Sequence, residues 1–236
     1  MSWGHKVSII MLARNRWRVT WQGLNSVVAN TPKELYQLVL IDDASEDNTP
    51  DIFAWAKERQ PDTIIFRQPT RLGVTPGRIK GIELGNGDIK MFLDDDATVC
   101  NPAWLPYLID PFRDPKVGVT GQSGSYITQF GLWDITHADN VEVDCAQGYC
   151  MCFREIGLQV DPAYGQFWHE ESDLCMQYKE KGYKVINRPF AGVSHCGSGS
   201  GDDGTYGKKL QYFTGKWKGK PELLVPVEKR VMIRYW

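Results

Sequence analysis

Apolar and polar positions alternate between two periods along the first hundred residues. Val7–Leu12 (VSIIML) is a short apolar run rich in β-branched residues, the pattern of a buried strand. Residues 15–29 then read as a helix. Leu35–Ile41 (LYQLVLI) is a second strand and stops at Asp42-Asp43. Asn48-Thr49-Pro50 is a helix start with proline in the first turn, and residues 51–60 continue it. Thr63–Phe66 predicts a third strand. Thr75-Pro76 opens another helix that ends near Gly85. Ile89–Leu93 predicts a fourth strand, which stops at Asp94-Asp95-Asp96, and Asn101-Pro102 caps a further helix. Strand followed by helix, four times over, argues for a mostly parallel sheet with helices on both faces. Such sheets bind ligands beyond the carboxyl ends of their strands. Two acidic clusters, 42–43 and 94–96, fall at two of those ends.

The pattern then changes. Val117–Thr120, Ser125–Phe130 and Tyr149–Phe153 read as strands of a mixed sheet. Residues 170–181 predict an amphipathic helix with Leu174, Cys175 and Tyr178 on one face and Gly182 as its C-terminal cap. Tyr183–Asn187 is one more strand. Residues 197–204 (GSGSGDDG) are glycine-rich, the composition of a loop that moves until a ligand orders it. There is no internal repeat and no long linker. The expected organisation is one domain over 1–220, with a nucleotide-binding half (1–100) and an acceptor half (101–220), then a basic aromatic tail over 221–236.

Composition narrows the class. With 236 residues, 42% hydrophobic and 24% charged, the chain is neither disordered, collagenous nor a coiled coil. No apolar run approaches the ~18 residues of a membrane span, and the start lacks the basic-then-apolar pattern of a signal peptide. The expected compartment is the cytoplasm. Six cysteines lack zinc-ribbon spacing, so they are expected to be reduced, packed thiols. Charge is uneven. From Tyr206 to Trp236 there are eight basic and two acidic residues, +6, so a net charge of −2 leaves −8 on residues 1–205. A basic, aromatic tail suits an anionic partner or surface.

Three consecutive carboxylates at a strand end repel one another unless a cation is present. Hard oxygen ligands suit Mg²⁺ or Mn²⁺, and such an ion with open positions binds a diphosphate. An acidic solvent-facing turn would look the same in isolation. The surroundings decide between them. VSIIMLARNR, LVLIDDASEDNT, RLGVTPGRIKGIELGNGDIKMFLDDDATV, QGYCMCFREIG…WHEESDLCMQYKEKGYKV, VSHCGSGS and YFTGKW occur in this order. Together they resemble the successive motifs of glycosyltransferase family 2, inverting enzymes with the GT-A fold, over about nine-tenths of the chain. The departures are Met11-Leu12-Ala13 for the usual Pro-Thr-Tyr, Arg71 and Lys80 for two asparagines, and Glu171 where aspartate is commoner.

The resemblance implies a GT-A α/β fold, a Rossmann-like half with a mostly parallel sheet joined to a mixed-sheet acceptor half. It implies transfer of a sugar from a nucleoside diphosphate to an acceptor hydroxyl with Mn²⁺ or Mg²⁺. Asp43 would accept from the base, favouring the imide N–H of a UDP- or dTDP-sugar, with Ala13, Arg14 and Asn15 beside it. Arg71 and Arg78 fall in the donor segment, where Arg78 would reach the diphosphate or brace the carboxylates. Asp94 would contact ribose, Asp95 is the variable middle position, and Asp96 would hold the metal with His195. Glu171 would be the base, with Glu170 its rival. Trp133, Phe167 and Trp168 suit a stacking face for a sugar ring. Two alternatives stand against this reading. A sugar-phosphate nucleotidyltransferase would want a glycine-rich loop after the first strand, where Ala13-Arg14-Asn15-Arg16-Trp17 stands. A non-catalytic sugar- or nucleic-acid-binding module would have no need of the carboxylates at 94, 96 and 171. The acceptor is left open among a cell-surface or other glycan, a lipid-linked glycan, a protein and a modified nucleic acid.

Overall fold

The computed structural model describes residues 6–128, 133–166, 168–197 and 204–233. β1 (Val7–Ala13) lies inside the sheet: it pairs in parallel with β2 (Tyr36–Asp42) on one side and β4 (Ile89–Leu93) on the other. β3 (Thr63–Arg67) extends β2, also in parallel. The sheet grows past β4 through β11 (Cys150–Arg154), which is antiparallel to both β4 and β6 (Val117–Gly121). β12 (Lys184–Asn187) runs parallel to β6, and β9 (Val141–Val143) closes the edge. The resulting order is β3-β2-β1-β4-β11-β6-β12-β9. Parallel half and mixed half are thus one continuous eight-stranded sheet.

Alternation along each strand feeds two cores. Val7, Ile9 and Met11 join Leu38, Leu40, Leu24, Val27, Phe53 and Trp104 on one face. That face is covered by α1 (Trp17–Asn30), α2 (Thr49–Arg59) and α4 (Trp104–Ile109). Ile10, Val39, Ile41 and Phe92 join Ile82, Leu174, Tyr178, Phe213 and Trp217 on the other. There lie α3 (Val74–Leu84), α5 (Glu170–Glu180) and α6 (Tyr206–Trp217). A three-stranded antiparallel sheet, β10 (Cys145–Ala146), β7 (Gly124–Ile127) and β8 (Trp133–Thr136), packs with them.

Seven predicted elements of the first half appear within about three residues of their expected limits. The second half holds more than the pattern showed. His195 does not follow the last strand: it ends a strand of its own, β13 (Val193–His195), antiparallel to β5 (Ala97–Val99). Residues 221–233 are not a separate appendage. Val225 is buried, and its N–H donates to Asp144 at 2.6 Å. Arg230 donates to Val225 and Ile127 carbonyls, Val231 bonds Tyr126 and Thr136, and His137 N–H reaches the Ile233 carbonyl. Just before this segment, Lys216 pairs with Asp161 and Asp173 and Lys220 with Glu180. All six cysteines are unbonded thiols. Four are buried as expected, but Cys100 and Cys196 are exposed. The glycine-rich loop expected to move lies largely outside the described residues, at 198–203, as does Phe167. No described helix is long and apolar enough to cross a membrane.

Candidate active site

The centre of the site is the turn after β4. β4 ends at Leu93, and β5 leaves the main sheet at Ala97 to pair with β13. The ladder sets His195 opposite Ala97, so a residue 99 positions away meets the acidic turn. His195 Nε2 donates to Asp96 Oδ1 at 3.0 Å and lies 3.6 Å from Asp94 Oδ2. The imidazole stacks on Tyr149, 4.5 Å between centroids and 3° from parallel. The Asp96 hydrogen bond holds the His195 pKa above the usual value.

Asp94, Asp96 and His195 offer ligand atoms that all lie within 4.8 Å of one another, the only such mixed cluster among the described residues. Two carboxylates and one imidazole fit a Mn²⁺-type ion, with half of an octahedral shell left for other oxygens. His195 Nε2, which bonds Asp96 here, is the nitrogen such an ion would take. The donor set therefore fits the expected divalent ion.

The middle residue does something else. Asp95 is buried, and burial pushes its pKa up to about 7. Its carboxylate accepts from Arg16 Nη1 at 3.0 Å and Thr20 Oγ1 at 3.1 Å. Arg16 also reaches Asp96 Oδ2 at 3.0 Å. The first turn of α1 thus cradles the acidic turn, and Asp95 faces that helix rather than the open side. Arg16 ends the VSIIMLARNR segment with no role assigned to it, and Thr20 lies outside every motif. Their spacing of four on one helix face is visible only once the partner is known.

Arg78, on α3, is the buried link to the acceptor half. It donates to Glu170 Oε1 at 2.8 Å, the Gly148 carbonyl at 3.0 Å and Asp94 Oδ1 at 3.3 Å, with its guanidinium 4.6 Å above the Phe92 ring. A Cβ on Gly148 would stand 2.6 Å from that guanidinium, so only glycine fits there. Of the two uses expected for Arg78, bracing is the one its contacts describe.

Glu170 and Glu171 open α5, where the helix dipole favours acids. Glu170 is buried, and its Oε2 has no donor. Burial, then the neighbouring Glu170, push the half-buried Glu171 up to about 8, against the pull of Arg78. One proton on Glu171 accounts for both features, because it gives the orphan oxygen of Glu170 a donor.

The other acidic turn is organised differently. Asp43 Oδ1 accepts from Leu72 N–H at 2.7 Å and Gln68 at 2.8 Å, and Oδ2 accepts from Gly73 N–H at 3.1 Å. Gly73 has φ +91°, a conformation that glycine takes without strain. Asp42 accepts from Ser45 N–H and pairs with Arg67. Arg14 donates to the Asp43 carbonyl at 2.9 Å, and Asn15, at φ +50°, bonds Ser45 and Glu46. Ala13, Arg14, Asn15 and Asp43 are therefore adjacent, as the motif order implied. Arg71 is exposed and stands apart, 3.5 Å from Gln166.

Residues 8–165, more than half of the chain, match the sequence profile "Glycosyl transferase family 2". This chain belongs to that family. Among curated relatives, Polypeptide N-acetylgalactosaminyltransferase 3 of Drosophila melanogaster is 30% identical over 111 residues, 46% of this chain and 16% of that protein. Glucosyl-dolichyl phosphate glucuronosyltransferase of Haloferax volcanii is 29% identical over 113 residues, 46% of this chain and 34% of that protein. The chain thus spans a third or less of these relatives. The solved structure of GalNAc-T7 with UDP, GalNAc and Mn²⁺ superposes with a TM-score of 0.72 at 17% identity, over 89% of this chain and 48% of that one. A Pyrobaculum calidifontis mannosyltransferase in complex with GDP-Man and Mn²⁺ gives 0.61 at 19%, over 79% and 55%. The family 2 chain therefore has the GT-A fold expected of it.

Proposed function

We propose that this family 2 protein is a metal-dependent glycosyltransferase that moves a sugar from a nucleoside diphosphate to an acceptor hydroxyl with inversion. The observation that carries the reading is the chain of contacts His195–Asp96, Asp94–Arg78 and Arg78–Glu170, which joins a metal-fitting cluster to a carboxyl pair with a raised pKa. Asp94, Asp96 and His195 would hold the ion, Mn²⁺ in preference to Mg²⁺ because one donor is nitrogen. When bound, such an ion neutralises charge on the departing diphosphate.

The chain's own residues do the rest. Asp43 retains one lone pair beyond its three internal donors, enough for the imide N–H of a uracil or thymine base. The ribose contact falls to Asp94 in this reading, its side chain being 40% exposed. Arg78 holds Asp94 and Glu170 in fixed relation. Glu171 takes the acceptor proton while the acceptor oxygen bonds the anomeric carbon and the carbon–diphosphate bond breaks on the opposite face. Glu170 Oε2 then receives the hydrogen bond from protonated Glu171. Lys208, Lys218 and Lys229 are exposed and remain suited to an anionic acceptor or surface.

The test is a panel of UDP-, dTDP- and GDP-sugars with Mn²⁺, with Mg²⁺ and with excess chelator, scored for nucleoside diphosphate release. Metal-dependent release of nucleoside diphosphate supports the transferase. Release of pyrophosphate from a nucleoside triphosphate and a sugar phosphate would make it a nucleotidyltransferase. Binding without turnover would make it a sugar-binding module. The anomeric configuration of the product, read by NMR, tests inversion.

A further inference from the structure

The segment before the carboxyl pair is strained and unusually apolar. Trp168 and His169 take φ +80° and +68°, two consecutive non-glycine residues in the left-handed region. Each such residue costs on the order of 1–3 kcal/mol, and such strain persists where surroundings over-determine it. The surroundings here are rings. His169 is fully buried and stacks on Trp133 at 4.7 Å, Phe213 at 5.2 Å and Tyr206 at 5.5 Å. Trp168 meets Tyr206 edge-on at 5.2 Å. Neither ring nitrogen of His169 has a hydrogen-bond partner, and burial lowers its pKa to about 4. An imidazole used as a neutral flat ring is a spacer between aromatic faces.

Around the spacer, Trp133, Trp168 and Tyr206 are each half-buried. They come from β8, the turn before α5, and α6. Trp133 is tied to α5 by its Nε1, which donates to Ser172 at 3.1 Å. Ser172 follows Glu171 directly, and Trp168 precedes Glu170 by two residues. The rings therefore flank the carboxyl pair from both sides along the chain.

We infer that Trp133, Trp168 and Tyr206 form the acceptor subsite and that its occupant is a pyranose ring, so the acceptor is a carbohydrate. The inference rests on the transferase reading for the role of Glu171, and adds the class of acceptor. An occupant here must give a hydroxyl to a carboxylate and an apolar face to indole and phenol rings. A hexopyranose has both, with C–H groups on its faces and hydroxyls at its rim. A lone hydroxyl on a peptide would leave most of the ring surface uncovered.

The experiment uses the full chain with UDP and Mn²⁺. Saturation-transfer NMR is run with methyl β-glycosides of glucose, galactose, N-acetylglucosamine and N-acetylgalactosamine, and with a serine- and threonine-rich peptide. At least one glycoside is expected to receive saturation at its ring C–H protons. Trp133→Leu should weaken that binding about tenfold and Trp133→Phe much less, as stacking energies imply. Melting curves establish that both variants fold; should Trp133→Leu fail, Trp168→Leu takes its place. No glycoside binding, saturation of the peptide alone, or full binding by the leucine variant would overturn the inference. Nucleoside diphosphate release by the unaltered protein reports separately on the transferase reading. Turnover without glycoside binding sinks the subsite alone, whereas glycoside binding without turnover sinks the catalytic role and leaves the stacking face.

Discussion

The turns that end β2 and β4 carry the same residue type and employ it in opposite ways. At the β2 end, Asp42 and Asp43 direct their oxygens at their own chain: Ser45, Arg67, Gln68, Leu72 and Gly73 supply the donors. At the β4 end only Asp95 is turned inward, onto Arg16 and Thr20. Asp94 and Asp96 meet His195 and, through Arg78, the carboxyl pair of α5. An acidic cluster at a strand end is thus not yet a site. Counting which lone pairs the chain itself fills separates a turn that mostly organises its own loop, with one Asp43 lone pair left over, from a turn that faces other segments.

The largest effect should come from the carboxyl pair coupled to the β4 end. Glu171→Gln is expected to lower transfer by ~10²–10⁴-fold with nucleotide affinity retained. In the unaltered protein the base must be ionised, and its pKa is raised to about 8. Turnover should therefore climb from about pH 6 through 8 and level off above about pH 9. A flat profile across that window, or an inactive Glu170→Gln beside an active Glu171→Gln, would move the base to the other carboxyl.

Next is the metal-fitting turn. Asp96→Asn should cost about 10³-fold in turnover, with a right-shifted Mn²⁺ titration. If the variant titrates and turns over like its parent, the β4 turn is as structural as the β2 turn and the comparison collapses.

Stability should show the reverse asymmetry. Asp43→Ala strands two backbone N–H groups and a glutamine amide, for about 2–4 kcal/mol. For a chain of this size that is a fall of roughly 4–16 °C in Tm. Asp94→Ala removes a much more exposed carboxylate and should shift Tm by less than about 2 °C. Calorimetry on the two variants, side by side, would break the comparison if the order were inverted.

The smallest effect at neutral pH belongs to His169, whose ring nitrogens have no hydrogen-bond partner. Its folded pKa is about 4, below the ~6.5 of an unfolded histidine. Between those values the unfolded chain binds the extra proton. Stability should therefore be full above pH 6.5 and decline as pH falls toward 4. His169→Phe should abolish that part of the slope in urea-unfolding curves; an unchanged slope would assign it to other groups.

Much of the first half was legible because its signals are local. Parallel strands buried on both faces read as apolar runs, as in Leu38–Ile41, and helix starts read from Thr49-Pro50. The second half was less legible. β5 and β13 have three residues each, too few to show a period, and β10 has two. The tail read as an exposed basic arm because its charges are frequent. Nothing local records that Asp144 accepts from Val225 or Asp173 from Lys216 and Trp217.

The sequence by itself determined the class of fold, the family, and the residue types at the strand ends, since these depend on period, order and chemistry along one line. Tertiary structure alone decided what each carboxylate faces. Asp94, Asp95 and Asp96 are consecutive and identical, and the backbone at the end of β4 sends one toward α1 and leaves two beside His195. The ladder of β13 on β5, the buried Arg78 and the stacked rings around His169 are contacts between residues tens of positions apart. Their energies come from burial and from donors supplied by other segments, which no short stretch of chain contains.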